Sequence, residues 1–140
     1  MEIILAENHG FCYGVKRAVE MADEAANSEG KSYTLGPIIH NPQVVGRLES
    51  KGVSPIQEVA DIDEGTMIIR SHGVGPAIYA EAEEKGLHIL DATCPHVKKA
   101  QQDAKSVIED GMTLVILGEK NHPEVKSINL WANNEGIIIE

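Results

Sequence analysis

Cys12-Tyr13-Gly14-Val15-Lys16-Arg17-Ala18 and Cys94-Pro95-His96-Val97-Lys98-Lys99-Ala100 are two versions of one passage. The offset that superposes them also carries Ala22 onto Ala104, Leu35 onto Leu117, Gly36 onto Gly118 and His40 onto His122; after one deleted residue, Pro42 meets Pro123 and Val44 meets Val125. An offset that keeps a Cys, a Gly and a His in step marks an internal repeat of one structural unit. The chain therefore reads as a first module over residues 1–85 and a second over 86–140. The second stops before any counterpart of Ser71-His72-Gly73, so the chain is expected to be a fragment. The alternative is a short protein with a degenerate second half.

Working outward from the cysteines, each module alternates apolar runs with amphipathic stretches. Ile3-Ile4-Leu5 and Ile89-Leu90 read as buried strands, each followed by a loop, the cysteine and a helix. Val15, Ala18, Ala22 and Ala25 share one face of the first helix, and Val97, Ala100, Ala104 and Val107 one face of its repeat. Gly30 and Gly111 are expected to end these helices. Tyr33-Thr34-Leu35, Met67-Ile68-Ile69 and Leu114-Val115-Ile116-Leu117 read as further strands, while Pro42, Pro76 and Pro123 stand where helices can start. Strands separated by helices predict α/β modules built on small parallel sheets with right-handed crossovers. Ligands of such sheets bind beyond the carboxyl ends of the strands. Cys12, His40, His72, Cys94 and His122 all fall there.

Composition narrows the chemistry. The 140 residues are 42% hydrophobic and 24% charged, without a low-complexity tract, which excludes disordered, collagenous and coiled-coil proteins. Twelve Lys and Arg against 22 Asp and Glu give a net charge of −10. That field repels nucleic acid and anionic membrane, so neither is an expected partner. Met1 to Ala6 is too short for a signal core or a span, which predicts a cytoplasmic protein. In a reducing compartment, two distant cysteines suggest a metal, catalytic or buried role before a disulfide.

A cysteine at a helix start meets the amide dipoles that favour its thiolate, which suits it to a soft metal. The plain alternative is a small buried residue. Two thiolates do not complete a cubane site, and the close ligand pairs typical of zinc sites are absent, which weakens a zinc-dependent hydrolase. His40, His72 and His122 are candidate ligands, bases or donors to a phosphate, in a chain with neither a Walker motif nor a dinucleotide fingerprint. Glu124, in the first turn after His122-Pro123, is either a helix-start acid or a proton donor. His9, His88 and His96 lack repeat partners and read as structural or solvent-facing.

Gly10-Phe11-Cys12, Ile39-His40-Asn41, Ser71-His72-Gly73-Val74, Asp91-Ala92-Thr93-Cys94-Pro95 and His122-Pro123-Glu124-Val125 follow one another in this order. With them the chain resembles the amino-terminal half of the LytB/IspH family, the 4-hydroxy-3-methylbut-2-enyl diphosphate reductases. The resemblance implies a trefoil of three modules, each giving one cysteine to a central 4Fe-4S cluster; two are present here, the second incomplete, and the third cysteine is not in this chain. It makes Cys12 and Cys94 the cluster ligands, His40, His72 and His122 the contacts of the substrate's diphosphate and hydroxyl region, and Glu124 the proton donor. Asn41 and Thr93 take supporting roles. The implied reaction is reductive dehydroxylation of the allylic diphosphate to isopentenyl and dimethylallyl diphosphate in the non-mevalonate route. An open iron polarises the hydroxyl, and reduced ferredoxin or flavodoxin supplies the electrons. Without the third module this chain is expected to be inactive alone. The competing expectation is a non-catalytic α/β module that binds metal or phosphate.

Overall fold

The computed structural model describes residues 1–7 and 9–140. Helix α1 (Tyr13–Ala26) leads into strand β1 (Ser32–Leu35), helix α2 (Pro42–Ser50) and strand β2 (Val53–Ile56). After a 3₁₀ turn at Val59–Asp61 come β3 (Thr66–Ile69), α3 (Pro76–Glu84), β4 (His88–Asp91), α4 (Pro95–Glu109), β5 (Val115–Leu117), α5 (Pro123–Trp131) and β6 (Ile137–Ile139). One sheet has the order β2-β1-β3-β4 and the other pairs β5 with β6, every pair parallel. The α/β architecture expected from the alternation is thus present. No helix among the described residues is long and apolar enough to cross a membrane.

The four-stranded sheet is buried on both faces, which is why its strands read as continuous apolar runs. Ile68 packs with Ala18, Ala22, Ile38 and Leu48 on the face covered by α1 and α2. Its neighbours Met67 and Ile69 point the other way, towards Val59, Ala82 and Leu87. Proline is the first residue of α2, α3, α4 and α5, where a missing N–H costs nothing. Helix α1 ends at Ala26 with Asn27 as its cap, four residues before Gly30; α4 ends at Glu109, with Gly111 in the left-handed region at φ 71°.

The repeat is visible as structure. The Gly36 N–H donates to the Ile56 carbonyl, and the Gly118 N–H to that of Ile139, so β1-α2-β2 and β5-α5-β6 close in the same way. The match at the helix start is shifted by the deleted residue: the N-cap of α2 is Asn41, that of α5 is His122, and His40 lies one position earlier.

Two expectations change. Strand β4, read as opening the second module, pairs with β3 and completes the first sheet as far as Asp91. Ile3-Ile4-Leu5 forms no strand, and these side chains are 74–84% exposed. The segment before Cys94 bonds to β3, whereas the matching segment before Cys12 pairs with no strand among the described residues. A strand without a neighbour gains no ladder hydrogen bonds to offset its ordering entropy. Strands β2 and β6, missed in the sequence, are supplied by short runs around Pro55 and after Gly136.

Candidate functional site

Because the first sheet is parallel, the carboxyl ends of its strands lie on one edge, and the loops leaving that edge carry the candidate residues. Strand β1 runs through Gly36 and Pro37 to His40, β3 to Ser71 and His72, β4 to Thr93 and Cys94. From the second sheet, β5 leads to His122.

Cys12 and Cys94 are the N-caps of α1 and α4, and neither side chain makes a capping hydrogen bond. Both are free thiols. They line one cavity of about 130 Å³ together with Ser71, His72 and Glu124. Gly14 makes this meeting possible, since a Cβ there would stand 2.5 Å from Cys94 Sγ and 2.9 Å from its Cβ. Arg17, one turn after Cys12, donates to the carbonyls of Thr93 (3.2 Å) and Asp91 (3.4 Å) and ties α1 to the loop that carries Cys94. Asp91 braces that loop from inside by accepting from the Thr93 N–H at 3.0 Å, the Tyr79 hydroxyl at 3.1 Å and Lys98. Burial pushes its carboxyl up, but the hydrogen bonds from Lys98 and Thr93 outweigh it and hold Asp91 below the usual range.

The three repeat-end histidines meet. Ring centroids of His40 and His72 are 4.8 Å apart, those of His72 and His122 5.6 Å, and one nitrogen of each lies within 4.8 Å of the others. Such a cluster can hold a cation, or an anion if the rings donate. His122 Nδ1 accepts the Glu124 N–H at 3.3 Å, which leaves its Nε2 to carry the proton. Among the described residues His72 Nδ1 and Thr93 Oγ1 are buried without a hydrogen-bond partner, and each is free to bond a bound group. By contrast His9, His88 and His96 lie exposed on the surface.

Burial, then the fields of His40, Arg70 and His122, pushes the His72 pKa down to about 4. The ring is therefore neutral at pH 7, while in the unfolded chain it takes a proton near 6.5. Stability from excluding that proton is complete above 6.5 and is lost as the pH falls towards 4. Discounted for a half-exposed ring, the loss is about 1–2 kcal/mol. Urea unfolding at pH 7 and pH 4.5 measures it, and His72→Gln removes most of the difference. Asp23 and Asp91, both held low, give up their share only below their ordinary value of 3.8.

Sequence reasoning missed the buried brace behind these loops. Gln101, 1% exposed, donates to Ser127 Oγ at 3.0 Å, and that hydroxyl donates to the His72 carbonyl at 2.8 Å with the Glu124 carbonyl 3.2 Å away. The pair joins α4 to the loop that carries His72 and to the first turn of α5, which carries Glu124. Its signal lay in the repeat, where Gln101 falls on the buried apolar Val19.

Fold and site together define a class: parallel α/β modules that bring two helix-capping thiols, three imidazoles and a carboxylate together beside the carboxyl ends of the strands. The chain matches the model of the LytB protein family over residues 3–140 and belongs to that family. It is 50% identical over 139 residues to a 4-hydroxy-3-methylbut-2-enyl diphosphate reductase of Geotalea uraniireducens, covering 99% of this chain and 49% of that protein. A reductase of the same name from Geobacter sulfurreducens is 54% identical over 132 residues, covering 94% of this chain and 47% of its own length. Among solved structures, an (E)-4-hydroxy-3-methyl-but-2-enyl diphosphate reductase, described as the terminal enzyme of the non-mevalonate pathway, superposes with a TM-score of 0.85 at 48% identity, over 99% of this chain and 50% of that one. The E-1-hydroxy-2-methyl-but-2-enyl-4-diphosphate reductase of Plasmodium falciparum superposes with a TM-score of 0.91 at 32% identity, over 96% of this chain and 43% of that one. The chain spans about half the length of the curated relatives it matches.

Proposed function

We propose that this chain is part of a reductase that converts 4-hydroxy-3-methylbut-2-enyl diphosphate to isopentenyl and dimethylallyl diphosphate, contributing two of three trefoil modules. The observation that carries the reading is the single cavity that holds Cys12, Cys94, His72 and Glu124. Overall the substrate takes up two electrons and two protons, its allylic C–O bond breaks, and the oxygen leaves as water. A 4Fe-4S cluster held by Cys12, Cys94 and a third cysteine outside this sequence would supply those electrons one at a time, received from reduced ferredoxin or flavodoxin. The residues fit such a group: both thiols are unbonded and share one cavity, and Gly14 leaves the room that Cys94 needs.

The chain's own side chains handle charge and protons. His40, His72 and His122 surround one point and take the diphosphate, and the orphaned Nδ1 of His72 gains a partner when the anion arrives. Glu124, fixed by its N–H to His122 and its carbonyl beside Ser127, brings a carboxyl to the cavity between thiols and imidazoles, where it delivers a proton to the leaving hydroxyl. Asn41 supports His40 by capping α2, its Oδ1 accepting the Val44 N–H at 3.1 Å.

Anaerobic iron and acid-labile sulfide analysis of the product of the uninterrupted reading frame, beside its Cys12→Ser variant, tests the proposal. A brown protein with matched iron and sulfide, depleted in the variant, is expected. A colourless product loaded with zinc overturns it in favour of a non-catalytic metal- or phosphate-binding module, a reading that the three-histidine cluster by itself also supports. The 140-residue chain alone, with its two cysteines, is expected to show no turnover.

A further inference from the structure

Behind the histidine loops lies a second cavity, of about 310 Å³, that shares no lining residue with the cavity of the thiols and Glu124. Gly73 and Pro123, which follow His72 and His122 in the chain, line it. Two cations line this second cavity, Arg70 from the end of β3 and Lys126 from α5. Although the chain has 22 Asp and Glu, no carboxylate lines it.

Neither cation is matched. Among the described residues Lys126 makes no ion pair, and Arg70 makes neither an ion pair nor a side-chain hydrogen bond, its Nε being buried without a partner. The guanidinium packs against Gly36, where an added Cβ would lie 3.0 Å from Arg70 Nη1 and φ is +69°. A desolvated cation without a counter-charge costs free energy that an anionic ligand recovers. The first turn of α3 faces the same space through Gly75 and Ile78, no side chain caps it, and its dipole adds to the positive field. Besides the neutral polar side chains of Gln57 and Ser127, the lining is mostly apolar, with Leu35, Val74, Ile78 and Leu130, and Leu130 is 41% exposed. Gly75 lets α5 come this close, since a Cβ there would stand 2.8 Å from two carbons of Leu130.

We propose that this cavity is a second binding site, for a small phosphate ester with a short hydrocarbon body. Arg70 and Lys126 take the phosphate from two different elements, and the leucine and valine wall takes the hydrocarbon. The site is independent of the thiol and histidine site, and its occupant would press on the loops of His72 and His122 from behind.

The test is a titration of the ¹⁵N-labelled chain with isopentyl phosphate and with inorganic phosphate, followed at the Gly75 and Ile78 amides and at Arg70 Nε. Saturable shifts at those groups are expected, at lower concentration for isopentyl phosphate, with Arg70→Gln and Lys126→Gln each weakening binding by about tenfold. Lys126 is exposed, so its variant keeps the fold and carries the test even if loss of Arg70 does not. Shifts confined to the loops of His40, His72 and His122, shifts that survive both substitutions, or equal affinity for the two phosphates would overturn the site. A His40→Ala chain, altered only at the other site, keeps the Gly75 and Ile78 response, so the outcome does not depend on the reductase reading.

Discussion

If Glu124 is the proposed proton donor, Glu124→Gln, made in the protein expressed from the uninterrupted reading frame, is expected to lower turnover of the allylic diphosphate by about 10²–10⁴-fold, the usual worth of a positioned general acid. The substitution keeps the size and the backbone bonds of the residue, whose N–H donates to His122 and whose carbonyl lies beside Ser127. It removes only the proton. Iron and sulfide content should therefore match the parent, and KM should change far less than kcat, because the histidines rather than Glu124 hold the diphosphate in the proposed arrangement. A fall in iron content equal to the fall in rate would instead make Glu124 a structural prop of the thiol cavity.

Gly73→Ala is expected to have the largest effect on stability. Gly73 has φ +69°, where a side chain costs about 1–2 kcal/mol. A Cβ there would also lie 3.0 Å from Thr93 Cγ2 and still closer to Gln101 Nε2, in a region closed by buried Gln101 and Thr93, and overpacking of that kind costs about 1–3 kcal/mol. Together they predict a loss of about 3 kcal/mol, a large part of the 5–15 kcal/mol typical of a domain. Urea unfolding measures it. Gly46→Ala is the control: it lies within α2 with nothing within 4 Å of the added carbon, and it should gain about 0.5–1 kcal/mol from helix propensity. Equal behaviour of the two variants would mean that Gly73 holds no special position.

Both variants bear on one brace. Gln101, Ser127 and the carbonyls of His72 and Glu124 form a buried polar chain that joins α4 and α5 to the β3 loop. Displacing Gln101 through Gly73 therefore reaches the proposed acid and the proposed phosphate contact at once, from a residue that does not line the cavity of the thiols. This coupling is absent from any single motif.

What the sequence determined by itself is the local and the repeated. Apolar runs bounded by glycine marked β1, β3, β4 and β5, proline marked the helix starts, the offset between Cys12 and Cys94 paired the two thiols and matched His40 with His122, and the apolar run before Ser71 put His72 at a strand end. Those features depend on neighbours a few residues away or on a repeated pattern, and both are written along the chain. Only the tertiary structure decided where Ile3-Ile4-Leu5 goes, which sheet β4 joins, that the imidazoles of His40, His72 and His122 meet at one point, and that Arg70 is left without a counter-charge. The physical reason is common to all four. A strand exists only when a partner offers its ladder, and a buried polar group takes its character from what packs around it. Those partners come from segments tens of residues away, so the sequence names the groups while the packing sets their roles.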